Sequence, residues 1–109
     1  MVLTELSLHV LLAVGQGAAH GYAIGKEVER LSRGRLDPTT GALYQALKRL
    51  TRDGLLRPVA APVELDSDPR RKYFELTRSG HRAVAAEIRR LDSLVAEARE
   101  RRLYPGRAR

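Results

Sequence analysis

The stretch "GALYQALKRLTRDGLL", residues 41–56, decides how the chain is read. Leu43, Leu47 and Leu50 recur at i, i+4 and i+7, the spacing of one apolar helix face. Thr39 stands ahead of them as the N-cap, with Asp37 before Pro38 as a rival, and Gly54 follows Asp53 where the helix should stop. At about 100° per residue, burying the leucines turns Gly41, Gln45, Lys48 and Arg52 outward, with Tyr44 on their flank. The helix is thus apolar on one side and cationic, amide-bearing and aromatic on the other.

Upstream, Leu3, Leu6, Val10, Leu11 and Val14 predict a first helix, capped by Thr4, with Glu5 in its first turn and Gly15 and Gly17 closing it. "HGYAIGKEVERLSRG", residues 20–34, predicts a second helix ending at Gly34. Its apolar face is Ile24, Val28 and Leu31, and Lys26, Glu27 and Arg30 lie opposite. Downstream, "LLRPVAAPVELDSDPRRKYFEL" has strand-like composition over 56–61 and 71–76, separated by Pro, Asp and Ser, which predicts a β-hairpin. Pro58 has no N–H to give, so it belongs on an edge or at a strand start.

Thr77 is placed to cap a last helix running to about Leu103, before "YPGRAR". Val84, Ile88, Leu91, Val95 and Ala98 make a narrow seam on it, with spacings that alternate four and three. Such a seam suits a partner helix; the rival reading lays it on the chain's own domain. The expected class is mainly α: a winged helix–turn–helix of three helices and a hairpin wing over residues 1–76. A C-terminal dimerisation helix over 77–104 and a flexible basic tail over 105–109 complete it.

The 109 residues fit one domain, and 20 Lys and Arg against 13 Asp and Glu give a net charge of +7, which favours a polyanionic partner. No cysteine is present, so disulfides, thiolate metal sites and thiol nucleophiles are excluded together. The longest apolar run, "HVLLAVG", falls short of the roughly 20 residues of a membrane span and lacks the flanks of a signal peptide. The expected location is the cytoplasm, with no membrane contact. His9, His20 and His81 fall on separate elements, and no nucleophile elbow or P-loop is present. No enzyme activity, metal or cofactor is therefore expected. His20 is read as capping or packing the start of the second helix beside Tyr22.

In a winged helix–turn–helix the third helix enters the major groove and the wing lies over the backbone. Lys48 and Arg52 can meet phosphates or guanine edges, Gln45 can pair with adenine, and the Tyr44 hydroxyl can donate to a phosphate. Thr40 and Gly41 let the helix start approach the backbone closely, and Arg70, Arg71 and Lys72 supply cations at the return of the wing. The acidic "ELDSD" at the wing tip argues against that tip entering a groove; Asp66 and Asp68 suit pairing with the cations that follow. The alternative function is a winged helix that docks on an acidic protein and does not bind DNA specifically.

"HGYAIGKEVE", "GALYQALKRLTRDGLL" and "RRKYFELTRSG", in that order, resemble the PadR family of bacterial winged-helix transcriptional regulators, over residues 3 to about 95. The resemblance implies a homodimer through the last helix, Tyr44 and Lys48 on a recognition helix, and repression of nearby genes, often including its own. Ala42, Gln45 and Thr51 stand where the family usually has Thr, Pro and Glu, so neither the operator sequence nor a salt bridge at residue 51 carries over. The short last helix resembles the compact subgroup. Some of its members bind flat aromatic drugs against tryptophan, but this chain has no Trp and one Phe, and nothing in it identifies an inducer.

Overall fold

The computed structural model describes residues 3–61 and 71–105. In chain order its elements are α1 (Glu5–Val14), β1 (Ala19–His20), α2 (Gly21–Leu31), α3 (Thr40–Arg52), β2 (Leu56–Val59), β3 (Tyr73–Leu76) and α4 (Arg78–Glu100). Each helix begins where a side-chain acceptor meets an otherwise unpaired backbone N–H. Thr4 accepts from Ser7, His20 from Ala23, Thr39 from Ala42 and Thr77 from Gly80. Asp37 does not cap α3.

The helix ends are also specific. After α3 the Leu55 N–H donates to the Leu50 carbonyl and Gly54 N–H to that of Thr51, with Gly54 at φ +79°. This pairing is available because glycine adopts the left-handed region without a Cβ clash. Helix α2 closes in the same way, but with Arg33 at φ 55° in the left-handed position. It therefore stops at Leu31, short of Gly34, and Leu31 is exposed rather than continuing the buried face of Ile24 and Val28.

The hairpin is present with shorter strands than expected. β2 and β3 pair antiparallel from Leu56↔Leu76 to Val59↔Tyr73, and Pro58 lies on β2, an edge strand. The two-residue β1 adds a third strand to the other side of β3, through Ala19↔Phe74 and His20↔Tyr73. That strand has no counterpart in the sequence reading. The wing tip, with Asp66, Asp68 and Arg70, and the tail from residue 106 lie outside the described residues.

One core joins these pieces. Val10, Leu11 and Val14 of α1, Ile24 and Val28 of α2, and Leu43, Leu47 and Leu50 of α3 pack together with Leu55, Leu56 and Phe74. Fully burying each large apolar side chain contributes about 1.5–3 kcal/mol, so the leucine face fixes which side of α3 looks outward. Thr51, on the shoulder of that helix, donates its hydroxyl to the Leu47 carbonyl at 2.8 Å. α4 is joined to the domain through its first turn: Thr77 Oγ1 donates to the Gly54 carbonyl at 2.6 Å while accepting from Gly80 N–H at 2.9 Å. A Cβ on Gly80 would overlap the Leu55 carbonyl oxygen, so the contact demands glycine.

Val84 packs against the core, but beyond it no residue of α4 is buried. Ile88 is 43% and Leu94 56% exposed, and Leu91, Val95 and Ala98 are partly exposed. The chain measures 52 × 28 × 27 Å. Among the described residues no helix is long and apolar enough to cross a membrane.

Candidate nucleic-acid interface

Thr40, Gly41, Tyr44, Gln45, Lys48 and Arg52 are all exposed on α3, opposite Leu43, Ala46, Leu47 and Leu50. Gly41 has open space where a side chain would stand. Lys48 has no carboxylate partner among the described residues, and Arg52 reaches Asp53 only at 3.7 Å. Exposed pairs of that length are weak, so both cations remain available to an incoming anion. On α4, by contrast, Arg90 pairs with Glu87 one turn away, and just past its end Arg101 pairs with Glu97.

Arg71 and Lys72, just before β3, are also exposed, and the sheet brings them toward the start of α2. There a cleft of about 430 Å³ is lined by His20, Gly21, Tyr22, Tyr44, Arg71 and Lys72. Tyr44 is 47% and Tyr22 68% exposed. An adjoining cleft of about 300 Å³ runs between α2 and α3 past Lys26, Thr40 and Tyr44. Lys26 stands 5.8 Å from the Tyr22 ring centre, a cation held over an aromatic face. Three elements distant in sequence thus contribute hydroxyls and cations to one surface.

His20 organises the junction. Its Nδ1 accepts from Ala23 N–H at 3.3 Å, its ring meets Tyr73 edge-on at 5.3 Å, and its Nε2 faces Arg71 Nη1 at 3.5 Å. The cap requires an unprotonated Nδ1 and so favours the neutral ring. Burial first, and then the Arg71 cation, hold its pKa below the ordinary 6.5. The ring caps α2 as expected, but its aromatic neighbour is Tyr73 rather than Tyr22.

The sequence reading placed Arg71 and Lys72 on the wing and the other contact residues on α3; all are exposed, and the cleft brings Tyr44 together with Arg71 and Lys72. It missed His20, Gly21, Tyr22 and Lys26 as members of the surface. The "HGY" motif was the available signal, but the contacts that give it meaning span 51 residues between His20 and Arg71. Among the described residues no group of His, Cys, Asp or Glu could hold a metal ion.

Residues 10–86 match the family model described as the transcriptional regulator PadR-like family. An uncharacterized 37.1 kDa protein in transposon TN4556 of Streptomyces fradiae is 36% identical over 97 residues, spanning 86% of this chain and 26% of the relative. The chain therefore covers about a quarter of that curated relative's length. Among solved structures, a PadR family transcription regulator from Clostridium difficile superposes with a TM-score of 0.74 at 20% identity, over 89% of this chain and 97% of the other. Bacillus subtilis PadR in complex with operator DNA superposes with a TM-score of 0.66 at 20% identity, over 78% of this chain and 47% of the other. At these identities the structural likeness is one of fold.

Proposed function

The chain belongs to the PadR-like family of transcriptional regulators, and on that premise we propose that it binds operator DNA specifically, as a homodimer, and represses nearby genes including its own. The observation that carries this reading is the cleft in which Tyr44 of α3 meets Arg71, Lys72 and the start of α2, beside an outer face of α3 whose polar residues are all exposed. In this reading α3 lies in the major groove. Gln45 reads adenine, Lys48 and Arg52 meet phosphates or guanine, and Thr40 and Gly41 bring the start of α3 to the backbone. Arg71 and Lys72 grip the flanking phosphates. The reading assigns the chain no enzymatic step, cofactor or inducer, and it works in the cytoplasm.

The uncovered stripe of Ile88, Leu91, Val95 and Ala98 supports pairing of two α4 helices. Two-fold symmetry then calls for a pseudopalindrome with half-sites about one helical turn, roughly 10 base pairs, or a multiple apart. The test is a salt titration of binding to the DNA upstream of the chain's own gene, against random competitor. With about eight interfacial cations per dimer, affinity should fall by about a thousandfold or more between roughly 50 and 200 mM salt. If no upstream fragment outcompetes random DNA at moderate salt, the operator reading fails and docking on an acidic protein takes its place.

A further inference from the structure

Gly21 opens α2 with an ordinary backbone conformation: the glycines at positive φ are Gly17, Gly34 and Gly54. Its lack of a side chain therefore has another use. A Cβ there would overlap the Tyr44 hydroxyl oxygen and stand 2.7 Å from Cζ and 3.3 Å from Cε1 of the same ring. The far end of the Tyr44 phenol thus rests against the first residue of α2. Among the described residues no hydrogen bond holds its hydroxyl, so this steric seat is what sets the ring's direction. The seat opens on the cleft that Arg71 and Lys72 line.

We propose that Gly21 is a positioning residue for DNA binding: the missing Cβ lets the Tyr44 ring seat on α2, which aims its hydroxyl at the phosphate held by Arg71 and Lys72. The inference rests on the operator-binding reading above. A methyl group at residue 21 displaces the ring rather than the fold, because the clashing atoms are the far end of a half-exposed side chain. Alanine is also the better helix former. Displacement removes one charge-assisted hydrogen bond per protomer and leaves the cations in place.

The experiment is a double-mutant cycle on upstream DNA with the full chain: wild type, Gly21→Ala, Tyr44→Ala and the double variant, with Tyr44→Phe as a hydroxyl-only control. Gly21→Ala should weaken binding by about tenfold, as Tyr44→Phe does. In the Tyr44→Ala background it should cost less than about twofold, since its effect passes through the ring. The Tyr44 aromatic carbon–proton NMR signals should shift in Gly21→Ala while those of Tyr73 and the melting temperature stay put. Unmoved Tyr44 signals overturn the proposal, as does full affinity in Gly21→Ala or a loss that persists without Tyr44. If wild-type protein prefers no fragment, the operator reading fails, and the ring signals alone decide whether Gly21 seats Tyr44.

Discussion

Helices α3 and α4 are both amphipathic, yet only one has its apolar side covered. Leu43, Leu47 and Leu50 of α3 are buried in the core of the same chain, and the polar face turned outward is the one with chemistry to offer. Past Val84, α4 reverses this: Arg90 pairs with Glu87 on the same helix, while the stripe of Ile88, Leu91 and Val95 stays exposed or half-exposed. Exposed charge is ordinary and needs no explanation, whereas a row of exposed aliphatic side chains on a rigid helix calls for a cover. A single chain therefore accounts for the position of α3, while the second copy proposed above would cover distal α4.

The hardest blow to that contrast is a charge on the uncovered stripe. Leu91→Asp should abolish the dimer in sedimentation, since burying an unpaired carboxylate costs about 3–5 kcal/mol in each protomer; a variant that still sediments as a dimer moves the interface away from α4. Next in size, Leu47→Ala should lower unfolding stability by about 2–5 kcal/mol in urea titrations. A loss well below that range would mean that the α3 face is less tightly packed than its burial implies.

Lys48→Ala sharpens the other half of the comparison. It should leave dimer and fold intact, weaken operator binding, and make the salt slope shallower by about 2, one phosphate contact per protomer. Unchanged affinity would remove α3 from the contact surface. The smallest effect concerns His20. Its folded pKa lies below 6.5, so the unfolded chain takes up a proton first as pH falls, and stability present above that value is lost on further acidification. Melting temperatures between about pH 7.5 and 5.5 should fall more steeply in wild type than in His20→Asn, which keeps an acceptor for the α2 cap; parallel curves would show that His20 takes no part.

Most of the scaffold was legible because its signals are local. Thr4, Thr39 and Thr77 cap within three residues of themselves, and the leucine spacing of α3 names its buried face without knowledge of the rest. Leu31 misled, because Arg33 takes the left-handed position one residue ahead of the glycine suited to it and α2 ends early. β1 had no pattern to read, since two residues have no period and its partner lies 55 positions on at Phe74. The cleft shared that difficulty. Tyr44 could be placed on a helix face, but nothing in its own neighbourhood says that it rests on Gly21.

The joint at Thr77 has a mechanical consequence. One hydroxyl ties the turn after α3 to the start of α4, and Gly80 sits so close beneath the Leu55 carbonyl that no side chain fits between them. α4 therefore leaves the head that carries α3 as a lever arm fixed at its root by that contact. If two such chains pair through α4, as proposed, a change of a few degrees in how the arms cross would alter the separation of the two heads.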